Sequence, residues 1–181
     1  MLLRRTASIA LLAALAIAGC GGSSKKSSST DTTTTASGGA GQTVAGVKCN
    51  RTEQLNYHVH AHLSLIANGT PEALPALIGI PGGATGTPQC FYFLHTHDTS
   101  GVIHIEAPAK QTFTLGQFFA VWGQPLSEAQ ATNLQAPLHV FVGKKAYTGN
   151  PANIKLNPHE LITIESGKKV PPPSFTFPAG L

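Results

Sequence analysis

Six of the eight histidines in this 181-residue chain lie in two short segments, where they alternate with other residues. The segments are YHVHAHL at positions 57–63 and LHTHDTSGVIHIE at positions 94–106. On a β-strand, a spacing of two residues places side chains on the same face. Neutral imidazole is a common ligand of Zn, Cu, Ni and Fe. The pattern therefore predicts a transition-metal site for copper or zinc. Its predicted ligands are His58, His60, His62, His95, His97 and His104.

The second segment also predicts how some of these ligands meet. Its Asp98-Thr99-Ser100-Gly101 stretch is typical of a turn between antiparallel strands. An even-numbered loop centred on Thr99 and Ser100 places His95 opposite His104, and His97 opposite Val102. Opposed residues have Cβ atoms about 4.5–5.5 Å apart, so two imidazoles there can bind one ion. A loop with an odd number of residues would break this register.

Several side chains around the histidines have two possible roles. Asp98 would either shape the turn or orient His97, and Glu106 would either orient His104 or be solvated. His139 and His159 are expected on separate strands or turns, and we predict that they are unrelated to the cluster. The cluster itself could instead be a polar sheet face whose imidazoles bond one another, the backbone and water.

The amino terminus has the features of an export signal. Two arginines precede an apolar run at residues 9–18, which is too short to span a bilayer. The run ends in Ile17-Ala18-Gly19-Cys20, which resembles the lipobox of bacterial lipoproteins. The resemblance implies a signal peptide at residues 1–19 and a lipid on Cys20. It also implies anchoring to the outer face of the bacterial cell membrane, or to a periplasmic membrane face. Ordinary secretory cleavage is the alternative.

Composition divides the rest of the chain into a tether and a domain. Residues 20–46 are mostly Gly, Ser, Thr, Ala and Lys, which predicts a flexible tether. Residues 47–181 are long enough for a single domain with its own core. Removal of residues 1–19 leaves 10 basic against 8 acidic side chains. This weak charge argues against nucleic acid as a partner. The expected partners are the bilayer and a metal ion, and no protein partner is indicated.

The two remaining cysteines predict a disulfide. In an exported domain, Cys49 and Cys90 most simply pair with each other, since lipidation would occupy Cys20. The alternative is a thiolate metal ligand. On a regular strand, however, Cys90 points to the face opposite His95 and His97.

The periodicity predicts a mainly antiparallel α+β fold, either sandwich-like or an open sheet, with one or two short helices. Strands are expected at residues 56–67, 90–97 and 102–107. Thr114 and Gln117 fit a capping box that starts a helix, and Ser127 repeats the pattern for a second helix. A last hairpin is expected around residues 157–159.

Three strings together resemble an uncharacterised family of exported bacterial proteins. They are HVHAHL at 58–63, HTHDTSGVIHIE at 95–106 and FTLGQFFAVWGQPL at 113–126. The resemblance covers about residues 50–145, and it implies export and a shared fold but no activity.

Taken together, these features indicate a membrane-anchored extracytoplasmic lipoprotein with a histidine-rich metal site for binding, sensing or delivery. A metal-dependent enzyme is one alternative. A non-enzymatic envelope module with a purely structural histidine face is another.

Overall fold

The fold consists mainly of β-strands, and its main sheet joins segments that are far apart in the sequence. The computed structural model describes residues 39–181, which contain one α-helix, α1 (Leu115–Trp122), and twelve short strands. The strands are β1 (Thr43–Val44), β2 (Val47–Asn50), β3 (Tyr57–Ala67), β4 (Thr70–Glu72), β5 (Phe91–Tyr92), β6 (Leu94–His95), β7 (Val102–Ala107), β8 (Gln130–Ala131), β9 (Leu134–Gln135), β10 (Leu138–Val142), β11 (Lys145–Tyr147) and β12 (Glu160–Ser166). The predicted signal peptide and Cys20 lie outside the described residues.

Seven strands form the main sheet, in the order β11-β10-β12-β3-β7-β6, with β4 paired to the end of β3. Strands β3 and β12 run parallel, and the other pairs in the described part of the chain are antiparallel. Smaller sheets are β1-β2-β5 and β8-β9. The prediction of a single α+β domain, mainly antiparallel β with a short helix, is confirmed.

Alternation along β3 and β7 separates an apolar face from a histidine face. Ala61 and Leu63 of β3 are buried, as are Ile103 and Ile105 of β7. They belong to the hydrophobic core, which includes residues from β2, β5, β6, β12 and α1. Burial of this apolar row determines which face of each strand is turned to the core, because a register shift of one residue would move every side chain to the opposite face. The histidines of both strands therefore share the other face.

Helix α1 closes one side of the core. Thr114 is its N-cap: the hydroxyl accepts a hydrogen bond from the backbone N–H of Gln117, whose side chain accepts one from the backbone N–H of Thr114. The helix ends at Gly123, which has a φ of 73°. Its buried residues are Leu115, Phe118, Phe119 and Val121. The predicted capping box and helix are confirmed, and within residues 39–181 no helix is both long and apolar enough to span a bilayer.

The disulfide between Cys49 and Cys90 is present, as predicted. Both cysteines are fully buried, and Cys49 is the register partner of Tyr92 where β2 pairs with β5. Cys49 lies in β2 and Cys90 directly precedes β5, so the bond links two neighbouring strands of the small sheet. Strand β1 lies within residues 20–46, the segment predicted as a tether, and pairs with β2. The β-structure therefore begins a few residues before Val47.

Two predicted elements are wrong. No helix follows Ser127, because its hydroxyl accepts hydrogen bonds from two backbone N–H groups in a local turn and Gln130 then pairs with Gln135 in a β-hairpin. The last hairpin is also absent. Residues 160–166 instead form β12, which lies between β3 and β10, whereas Lys155 bridges to Thr114. In the first case a local turn and a short hairpin replace the helix. In the second, pairing with distant strands overrides the local signal.

Candidate metal centre

Three adjacent strands bring the histidines together. His104 of β7 is the register partner of His60 on β3 and also of His95 on β6. The predicted opposition of His95 and His104 is therefore confirmed. One step along the sheet, His58 is the register partner of Glu106. The face thus carries a row of three imidazoles, with a second row of one imidazole and one carboxylate beside it.

His97 lies beyond the end of β6, so its predicted pairing with Val102 does not form part of the strand ladder. The chain is held there by Thr96, whose N–H donates to the carbonyl of Ile78 and whose hydroxyl donates to the carbonyl of Pro75. The His97 side chain is 42% exposed. Asp98 accepts a hydrogen bond from the N–H of Ser100, so it shapes the turn.

One group of potential ligands spans β6 and β7. Its members are His95, His97, His104 and Glu106, and their ligand atoms all lie within 4.8 Å of one another. Nε2 of His95 is 3.2 Å from Nε2 of His97 and 3.6 Å from Oε1 of Glu106. Ligands at about 2.0–2.2 Å from one ion are separated by roughly 3–4 Å. This group could therefore hold a metal ion with only small adjustments.

A second group spans β3 and β7. It consists of His58, His60 and His104, again with ligand atoms within 4.8 Å of one another. The ring centroids of His60 and His104 are 4.5 Å apart, as are those of His58 and His60. Nε2 of His58 is also 3.2 Å from Oε1 of Glu106. The two groups therefore meet at the side chains of β7.

Several polar atoms of the cluster are buried without a hydrogen bond. They are Nε2 of His60, Nδ1 of His104 and Oε2 of Glu106. A buried polar atom without a partner costs roughly 1–3 kcal/mol, so such atoms are uncommon in folded proteins. All three can bind a metal ion. Nδ1 of His104 also lies 3.5 Å from Oε1 of Glu106. Of the five buried side-chain polar atoms without a hydrogen bond in residues 39–181, these three lie together in the cluster, which fits a cation site.

The backbone determines which nitrogen of His95 is available. Its Nδ1 lies 2.8 Å from the carbonyl oxygen of Tyr92, and because a carbonyl can only accept, Nδ1 carries the proton and donates. The other nitrogen, Nε2, then presents a lone pair to the cluster. Metal-binding histidines commonly use this arrangement, in which a hydrogen bond from the non-binding nitrogen sets the tautomer.

Burial favours the neutral form of three of the imidazoles. The pKa of His95 is lowered from 6.5 to about 4, mainly because burial disfavours its charged form. The pKa of His60 is also lowered to about 4, by burial and then by the charge of His104. Burial likewise lowers the pKa of His97. Neutral imidazole is the form that binds metal, so these three side chains are ready to act as ligands near neutral pH.

Glu106 remains a carboxylate although it is buried. Burial alone would raise its pKa, but the side-chain contact with His104 and the electrostatic influence of His95 and His58 together outweigh burial and lower it. A negative charge among the imidazoles favours a cation at this position. Glu106 lies two residues after His104 on the same strand face, so strand parity could have identified it as a ligand.

Glu53 is a participant that the sequence did not indicate. Its Oε1 is 3.4 Å from Nε2 of His97 and 4.0 Å from Nε2 of His95, and its side chain is 33% exposed. It lies between β2 and β3, outside any periodic pattern. No local signal could have linked it to the histidines.

His62 shares the histidine face but belongs to neither group. Its Nε2 donates to the carbonyl of Ser100 at 2.9 Å, and its ring stacks on Phe175 with centroids 3.7 Å apart. These three residues line a cavity of about 530 Å³. His139 and His159 also lie outside both groups. His159 stacks on Phe177 instead.

No family model, curated protein or solved structure matches this chain. The site must therefore be interpreted from its own geometry. That geometry defines a β-rich domain with a largely buried cluster of histidines and one glutamate that could hold a metal ion.

Proposed function

We propose that this chain is an exported lipoprotein whose domain binds a copper or zinc ion, in order to sequester, sense or deliver the metal. The observation that carries the proposal is the set of buried ligand atoms without hydrogen bonds in His60, His104 and Glu106. Most buried polar atoms of a structural sheet face have protein partners, so three such atoms close together support a bound cation.

The donor set favours particular metals. Imidazole nitrogens with one carboxylate suit borderline ions such as Zn(II) and Cu(II), and imidazole-rich sites follow the Irving–Williams order. Cys49 and Cys90 are joined to each other, so they offer no thiolate for Cu(I). We therefore assign the site to Cu(II) or Zn(II).

The disulfide and the amino-terminal sequence support the cellular context. Disulfides persist in oxidising compartments outside the cytoplasm. The apolar run at residues 9–18 followed by Cys20 provides the signal for export and lipidation. Anchoring near the cell surface would place the metal site where it meets ions from outside the cell.

The direct test is metal analysis and titration of the full chain, produced by export and purified without a histidine tag or a chelating column. The metal-depleted protein should bind Cu(II) or Zn(II) stoichiometrically in calorimetric titration. His95→Ala combined with His104→Ala should abolish binding, whereas His139→Ala should leave it unchanged. Equal losses in the double variant and in the control, or no binding by the wild type, would refute the proposal.

A metal-dependent enzyme is a second candidate, favoured by the exposed edge of the cluster. His97 and Glu53 reach solvent there, whereas His95 and Glu106 are buried. A carboxylate beside an accessible ligand is positioned to exchange protons with water, as hydrolytic sites require. If the protein is a hydrolase, Glu53→Gln should lose turnover of an activated ester while it keeps full metal occupancy. An absence of turnover by the metal-loaded wild type would leave binding as the function.

A further inference from the structure

The geometry points to a centre for two metal ions per chain, with Glu106 and His104 of β7 lying between them. This inference rests on the proposed metal-binding function and extends it to the stoichiometry and layout of the site. One ion would lie on the β6 side, with His95 and His97. The other would lie on the β3 side, with His58 and His60.

Strand order separates the outer ligands into two pairs. Strand β7 lies between β3 and β6, and neighbouring strands are about 4.8 Å apart. The backbones of His60 and His95 are therefore roughly 10 Å apart, on opposite sides of His104. Strand β3 contributes His58 and His60, whereas His95 of β6 and His97 just beyond its end form the other pair. The central strand contributes the residues between the two pairs.

The donor atoms also exceed what one ion can use. The two groups together contain five imidazoles and one carboxylate. Zinc in protein sites is usually four-coordinate. His104 belongs to both groups, but a neutral imidazole has one lone pair and can bind either ion, not both. Each group otherwise has its own histidines on one side of β7.

Glu106 has contacts that suit a carboxylate between two cations. Its Oε1 lies 3.2 Å from Nε2 of His58 on one side and 3.6 Å from Nε2 of His95 on the other. Its Oε2 is buried without a hydrogen bond. Metal ions in two-metal sites are about 3.5–4 Å apart, a spacing that one carboxylate can bridge.

The test is the stoichiometry of Cu(II) and of Zn(II), each added alone to the metal-depleted full chain. We expect two ions per wild-type chain by calorimetry and by metal analysis after removal of excess ion. His58→Ala and His97→Ala each remove a ligand from one side only. Both side chains are partly exposed, at 32% and 42%, so their truncation disturbs the core little. Each variant should retain one ion, and His139→Ala should retain two.

Electron paramagnetic resonance of the Cu(II)-loaded protein tests the two-ion centre without relying on the measured number of bound ions. Two Cu(II) ions at this spacing should show magnetic coupling, and each single-side variant should show an isolated Cu(II) signal. One ion per wild-type chain at saturation, or two ions retained by both single-side variants, would overturn the two-ion centre while preserving metal binding. Failure of the wild type to bind either metal would overturn the proposed function as well.

Discussion

The imidazole of His95 and the carboxylate of Glu106 face each other across adjacent strands, with 3.6 Å between Nε2 and Oε1. Both side chains are buried. Since Nδ1 of His95 donates to the Tyr92 carbonyl, the atom that faces the carboxylate is an unprotonated nitrogen. Two electron-rich atoms therefore point toward the same space. A cation between them would turn this unfavourable contact into two favourable ones.

Neutralising Glu106 should weaken metal binding strongly. Glu106→Gln keeps the side-chain size but removes the charge beside the ion and one strong ligand oxygen. We expect a loss of affinity of at least roughly 10–100-fold, the range typical even for residues that only support a ligand. Calorimetric titration with Zn(II) measures it. Glu165→Gln is the matched control, because Glu165 is also a fully buried carboxylate with one oxygen that has no hydrogen bond. Similar losses in both variants would contradict a role specific to Glu106.

The metal-free protein should lose stability as pH falls from about 6.5 to about 4. In the folded state the pKa of His95 and of His60 is about 4, below the value of 6.5 expected in the unfolded chain. Between these values the unfolded state binds more protons, so acidification favours unfolding. Above about 6.5 this contribution to stability is fully present. Urea unfolding at a series of pH values measures it.

The comparison that isolates His95 in this experiment is His95→Asn, which keeps a side-chain donor for the Tyr92 carbonyl but cannot titrate. Its unfolding free energy should fall less than that of the wild type over the same pH range. His139→Asn should follow the wild-type curve. If the His95 variant also follows the wild-type curve, burial of a neutral His95 does not contribute to acid sensitivity.

Breaking the disulfide should destabilise the domain. The bond closes a loop with a sequence separation of 41 residues. The chain-entropy model assigns such a loop about 4 kcal/mol. Denaturant unfolding of the Cys49→Ser, Cys90→Ser double variant should show a loss of this size. A reducing agent should destabilise the wild type but not the double variant. Equal stability of the two proteins under oxidising conditions would show that the bond does not constrain the fold.

Lipidation of Cys20 is a prediction from the sequence that is tested by membrane partitioning. Wild-type protein should enter the detergent phase and sediment with membranes, because its lipid would bury in the bilayer. Cys20→Ala should appear in the aqueous phase or remain unprocessed. The Cys49→Ala, Cys90→Ala variant controls for loss of cysteine elsewhere and should still partition with membranes. Unchanged partitioning of Cys20→Ala would exclude the anchor.

Much of the site could be predicted because strand geometry is local. Alternation with a period of two was enough to place His58 and His60 on one face, and the turn after His97 was enough to oppose His95 and His104. The cysteine pairing and the capping box of α1 were also predictable. The strand faces, the turn and the capping box each depend on a short stretch of chain. The disulfide was predictable because no other cysteine remains once Cys20 is lipidated.

Other features were decided by contacts between distant parts of the chain. Strand β7 lies between β3 and β6, and this order brings His58 and His95 to Glu106 from the two neighbouring strands. Glu53 approaches from a separate loop, whereas His62 shares the histidine face but is turned away by Ser100 and Phe175. Periodicity determines which face a side chain occupies. Strand order, loop position and side-chain rotamer are determined by packing against the rest of the domain, so a local sequence pattern cannot predict them.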